Sequence, residues 1–121
     1  MERDESGTII GMTLADEPAD GIKHDTGKDP WELLPYDALR QVVKVLAFGA
    51  RKYEARNWEK GIAYGRLMGA VMRHLTDWWA GEEKDPETGL HPLAHVACDA
   101  LFLLTYELRG KKDRDDRPRG V

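Results

Sequence analysis

Between Leu93 and Leu104 the chain is apolar at ten of twelve positions, and the two exceptions, His95 and Asp99, lie four residues apart. A helix with almost no hydrophilic face is buried on most sides, by its own domain or by a second subunit. Pro92 suits a first helical turn and Gly110 follows the last one, so the pattern predicts a helix over Pro92–Leu108. On such a helix His91, His95 and Asp99 share one stripe. A buried carboxylate is costly unless it is paired, hydrogen-bonded or bound to a cation. Asp99 therefore either pairs with His95 or an Arg and fixes packing, or it belongs to a site.

The rest of the chain must supply cover for that helix. With 121 residues there is room for one domain and one core. The single cysteine, Cys98, excludes an intrachain disulfide framework. No basic-then-apolar leader and no membrane-length apolar stretch is present, which predicts a cytoplasmic protein. Residues 1–22 hold six acids and one base, and residues 111–121 hold five bases and three acids. The nearly neutral middle argues against a duplex nucleic-acid surface.

The organisation that follows is all-α: a small bundle of three main helices with flexible arms at both ends. Residues 1–21 read as a mobile N-terminal arm, within which Thr8–Met12 is a candidate short strand or packing contact. Residues 22–110 form the domain, and 111–121 read as a charged, disordered tail. A first helix is expected from Trp31 to Tyr53, with Asp29 as N-cap and Pro35 splitting off its first turn. Leu39, Val42, Val43, Leu46 and Ala50 form its apolar stripe. Residues 54–64 read as a loop. A second helix is expected from Leu67 to Ala80, with Leu67, Ala70, Val71, Leu75 and Trp78 inward and Gly81 as its stop. The acidic connector 82–90 turns at Pro86 and Gly89.

His74 and Asp77 lie one turn apart on the second helix. If the second and third helices pack antiparallel, these two face His95 and Asp99, the way bundles build metal sites. Such a set suits Mn²⁺, Fe or Zn²⁺ better than Mg²⁺, which favours oxygen ligands. Asp85 and His91 are further candidate ligands, Asp85 by folding back from a connector that otherwise reads as solvated. A basic set is the candidate phosphate site: Lys23, Asp25 and Lys28 around Gly27, then Lys52, Arg56 and Asn57 after the first helix. Trp58 beside them is either core or a surface on which a base stacks. The Gly-x-x-x-x-Gly-Lys-Ser/Thr phosphate loop is absent.

The ordered series Lys23-His-Asp-Thr-Gly-Lys28, Trp31-Glu-Leu-Leu-Pro35, Phe48-Gly-Ala-Arg-Lys-Tyr53, Asn57-Trp58, Arg73-His74-Leu75, Gly81-Glu82, Asp85 and His91-Pro-Leu-Ala-His95 resembles a phage and prophage family. It looks like the N-terminal domain of dATP/dGTP diphosphohydrolases and is distantly similar to MazG-like all-α nucleotide pyrophosphatases. The resemblance implies hydrolysis of dATP or dGTP to the monophosphate and pyrophosphate with a divalent cation, Mn²⁺ or Mg²⁺, Zn²⁺ and Fe being alternatives. It places His74, Asp77, His95 and Asp99 in the catalytic set, with Asp77, His95 and Asp99 as metal ligands and His74 as ligand or base. The MazG-like pattern carries carboxylates where His74 and His95 stand, a departure that weakens an expected Mg²⁺ cluster. Two further readings stay open: a non-catalytic protein that sequesters a nucleotide or nucleotide signal, and a helical interaction module. The surplus apolar surface of the third helix predicts a homo-oligomer, dimer or higher.

Overall fold

The computed structural model describes residues 2–3, 9–10 and 21–119, with side chains over 21–119. The arm expected over 1–21 lies outside the described residues except at 2–3, 9–10 and Gly21. There the backbone of Glu2–Arg3 (β1) pairs antiparallel with Ile9–Ile10 (β2), Glu2 opposite Ile10 and Arg3 opposite Ile9. The Thr8–Met12 expectation is described only at Ile9 and Ile10; the rest of it lies outside the described residues.

The chain divides into two units, Met1–Pro35 and Tyr36–Val121. In the first, Lys28 N–H donates to Asp25 O at 3.0 Å, closing a turn in which Gly27 takes φ +83°. That left-handed conformation is open to glycine at no steric cost. A 3-10 turn at Trp31–Leu33 ends where Leu34 becomes extended, ψ 139°, as a residue before proline must.

The second unit is an all-α bundle of α1 (Tyr36–Lys52), α2 (Tyr64–Trp79) and α3 (Pro92–Leu108), with a 3-10 turn at Asn57–Lys60. No helix of the described residues is long and apolar enough to cross a membrane. α3 packs chiefly on α2 and also on α1, so the most apolar helix is the middle one. Its Cys98 and Tyr106 are almost fully buried. The core gathers Tyr64, Leu67 and Tyr106, with Trp58, Ile62, Phe102 and Leu103 against them. Tyr64 stacks on Tyr106 at 5.8 Å, and Trp58 stacks on Phe102 at 4.5 Å. Tyr106 OH donates to Trp58 O at 2.5 Å and accepts from Ile62 N–H at 3.1 Å, tying the loop before α2 to α3.

α2 begins three residues earlier than its apolar pattern suggests. Ala63 at its N-cap has no capping side chain. The cap comes instead from the C-terminal segment. Arg114 O accepts Tyr64 N–H at 3.0 Å, and the Asp116 carboxylate accepts Gly65 N–H at 2.8 Å. A Cβ at Gly65 would stand 3.3 Å from both Asp116 oxygens, so glycine lets the carboxylate approach. A carboxylate on the first amides of a helix contributes roughly 0.5–2 kcal/mol. Residues 111–119, expected as a frayed tail, are held further where Tyr64 OH donates to Lys111 O and where Asp115, nearly buried, pairs with Arg117 and Arg119. Alternating charges looked like solvation; they are mutual pairing.

Candidate functional site

The packing of α1 and α2 on α3 leaves a cavity of about 650 Å³, within the ~300–1,000 Å³ range of small-molecule sites. One wall is apolar: Val43, Leu46 and Ala50 of α1, with Trp58, Ile62 and Phe102. Val43 and Leu46, expected in the core stripe, face this space, while Val42 is the buried residue of α1. The polar groups arrive from five segments. Lys52 ends α1, Tyr53, Arg56 and Asn57 follow it, and His74 belongs to α2. Asp85, Glu87 and Thr88 belong to the connector, His95 and Asp99 to α3.

His74 and His95 meet across the α2–α3 contact, their rings stacked 4.5 Å apart and 15° from parallel. Asp77 does not join them. The inner face of α2 runs Leu67, Ala70, His74, Trp78 in three- and four-residue steps, and Asp77 falls one position off it, exposed and outside the cavity lining. His91 is also outside the lining; its Nδ1 accepts Leu93 N–H at 3.0 Å and caps α3. Lys23, Asp25 and Lys28 are exposed in the turn of the first unit.

Asp85 is drawn into the site by its own loop. Its Oδ2 accepts Glu87 N–H at 3.0 Å, Thr88 N–H at 2.9 Å and the Thr88 hydroxyl at 3.2 Å, a turn that a short carboxylate makes with the backbone that follows it. Burial raises its pKa, but the Thr88 amide, the charge on His95 and the Thr88 hydroxyl outweigh that and hold the carboxyl below its usual range. Its Oδ1 stands 3.6 Å from His74 Nδ1 and its Oδ2 stands 4.0 Å from His95 Nε2. Burial and the neighbouring His74 hold His95 below the usual imidazole range. Thr88 escaped sequence reasoning, although Asp85-Pro-Glu-Thr88 is a sequence from which such a turn can be read.

The cationic side is formed by Lys52 and Arg56. Lys52 Nζ reaches Glu87 at 2.6 Å, and this bond chiefly raises the lysine pKa. Arg56 sits at φ +62°, left-handed without being glycine, and its guanidinium holds Glu59 at 2.8 Å. Such backbone strain persists only where its surroundings impose it.

Asp99 differs from Asp85. It has no hydrogen-bond partner among the described residues, and burial pushes its pKa up to about 6, only partly opposed by the Arg73 charge. A carboxylate that only fixed packing would hold a partner; this one lines a cavity and titrates near the range in which a general base works. The adjacent Cys98 thiol is pushed by burial to about 12, which leaves it unreactive.

Among the described residues no group of three or more His, Cys, Asp or Glu side chains is arranged to hold an ion. Imidazole lone pairs lie in the ring plane, so stacked rings 4.5 Å apart send theirs side by side rather than to a common point.

The model of a family described as "dATP/dGTP diphosphohydrolase, N-terminal" matches residues 18–117. A Salmonella phage PMBT28 protein named dATP/dGTP diphosphohydrolase is 39% identical over 97 residues, covering 80% of this chain and 33% of the relative. The chain thus spans about a third of that protein's length. No solved structure matches.

Proposed function

Because the chain belongs to the family of dATP/dGTP diphosphohydrolase N-terminal domains, we propose that it hydrolyses a purine deoxynucleoside triphosphate, dATP or dGTP, to the monophosphate and pyrophosphate. The observation that carries this reading is that one nucleotide-sized cavity holds Asp99, pushed up to about 6 and without a hydrogen-bond partner among the described residues, together with Lys52 and Arg56. Asp99 takes a proton from water as the water oxygen bonds to the α-phosphorus. The α–β bridging P–O bond breaks, and pyrophosphate leaves with the electron pair. Lys52, released from Glu87, and Arg56 neutralise the polyphosphate. Asn57 and the Trp58–Phe102 stack provide the polar edge and flat apolar wall that a purine needs.

Four carboxylates, Glu54, Asp85, Glu87 and Asp99, line the cavity against two permanent cations, a balance that repels a bare triphosphate. The divalent cation, Mn²⁺ or Mg²⁺, is therefore proposed as part of the substrate, entering on the triphosphate. Incubation of the protein with dGTP or dATP and either metal is expected to yield monophosphate and pyrophosphate by anion-exchange chromatography. Intact triphosphate with every metal, beside calorimetric binding, would leave the sequestering protein as the reading. That alternative draws on the lack of a three-ligand metal group among the described residues.

The homo-oligomer is proposed to form through the apolar surface that the single chain leaves open. Leu101, Leu104 and Leu108 of α3 are 46%, 52% and 78% exposed, and Met68 and Met72 of α2 are exposed as well. Light scattering is expected to return at least twice the 13.7 kDa chain mass; the monomer mass would exclude it.

A further inference from the structure

Thr88 Oγ1 has three polar neighbours: Asp85 Oδ2 at 3.2 Å, His95 Nε2 at 2.7 Å and Leu90 N at 3.2 Å. A hydroxyl offers one hydrogen and two lone pairs. Leu90 N–H can only donate, so it takes one lone pair. The hydrogen then goes either to Asp85 or to His95.

Asp85 decides the matter. Its Oδ2 already accepts the Glu87 and Thr88 N–H groups, so that oxygen carries no hydrogen to give. Were the Thr88 hydrogen directed at His95, Oγ1 and Oδ2 would face each other at 3.2 Å, lone pair against lone pair. Directed at Asp85, it makes all three contacts hydrogen bonds. The remaining lone pair of Oγ1 must then accept from His95, so Nε2 carries the ring hydrogen. A neutral imidazole has only one, and the other nitrogen is a bare acceptor.

We propose that Thr88 is a positioning residue that holds His95 as its Nε2–H tautomer and leaves Nδ1 as the acceptor of the ring. Asp85 orients Thr88, and Thr88 orients His95. A neutral His95 in this form accepts a hydrogen bond at Nδ1 from water or a protonated group and donates none there to a phosphoryl oxygen. Holding the phosphates therefore falls to Lys52 and Arg56. This consequence for hydrolysis rests on the function proposed above; the tautomer does not.

The test begins with the unmodified protein. In a long-range ¹H–¹⁵N correlation spectrum above the His95 pKa, with His95 assigned by comparison with His95→Gln, the wild-type ring is expected to show Nε2 protonated and Nδ1 bare. A wild-type ring protonated at Nδ1 overturns the proposal at once, whether or not any variant folds. Thr88→Val keeps the shape and removes the hydroxyl. It is expected to return His95 to a mixture of tautomers and to lower kcat for dGTP by roughly 10–100-fold, the scale of loss when the partner that orients a metal-bound histidine is removed. KM should stay within about twofold. Thr88→Ser should restore both tautomer and kcat. An unchanged His95 spectrum in Thr88→Val would overturn the proposal. A wild type without hydrolysis but with Nε2 protonated would reject the enzymatic reading and leave the tautomer assignment standing.

Discussion

Asp99→Asn is expected to lower nucleotide hydrolysis by about 10²–10⁴-fold, the span of a lost general base, and at neutral pH to make the nucleotide-free protein more stable. The two effects have one cause. Burial raises the Asp99 pKa from 3.8 to about 6, so between those values the folded protein holds a proton that the unfolded chain has released. Stability contributed by that proton is full at the acid end and falls as pH rises through about 6. Above it the folded state carries a half-buried, unbonded charge. With allowance for solvent reaching this partly open group, the penalty is about 1–2 kcal/mol. The Asn variant lacks it. Melting curves should therefore coincide near pH 4 and separate by several degrees at neutral pH, the variant higher. A variant that melts lower at neutral pH and hydrolyses normally would return Asp99 to a structural role.

Tyr106→Phe is expected to cost roughly 2–4 kcal/mol, large for the loss of one oxygen. That oxygen serves two backbone groups at once, the Trp58 carbonyl and the Ile62 amide, in the stretch that joins the cavity wall to α2. Removing it strands a donor and an acceptor, and a buried polar group left unpaired costs about 1–3 kcal/mol. Both residues are only half-buried, so water recovers part of the loss. Urea unfolding should show the midpoint fall with the slope unchanged. Tyr106→Ala, which also opens a hole beside Tyr64, should lose more. A Phe variant within about 0.5 kcal/mol of wild type would show that the two bonds contribute nothing net.

What the sequence displayed was local. α3 spans the Pro92–Leu108 range that its apolar run, leading proline and trailing glycine marked out. His74 meets His95 because both stand on inward faces that four-residue steps reveal. Asp77 shows the limit of that reasoning: one residue of phase separates an inward position from a solvated one. The start of α2 was hidden because Gly65 reads as a breaker and the group that makes it a helix start is Asp116, 51 residues away. Asp85 and Thr88 were concealed by charge, since an acidic connector looks solvated until one carboxylate is seen turned onto its own backbone. Arg56 at φ +62° has no signature in sequence at all.

The cap that Asp116 places on α2 also orders events in time. Synthesis proceeds from the N-terminus, so the residues of α2 and α3 are all made before Asp116. Without residues 111–116, Tyr64, whose amide and hydroxyl bond to Arg114 and Lys111, lacks both of those bonds, and Gly65 N–H lacks its carboxylate. A chain ending at Gly110 would contain the residues of all three helices and none of these bonds. Final consolidation therefore waits on a contact between distant parts of the chain, which slows folding relative to a bundle closed by neighbours. A surface pairing of ordinary strength thereby couples the start of α2 to a segment made after all three helices.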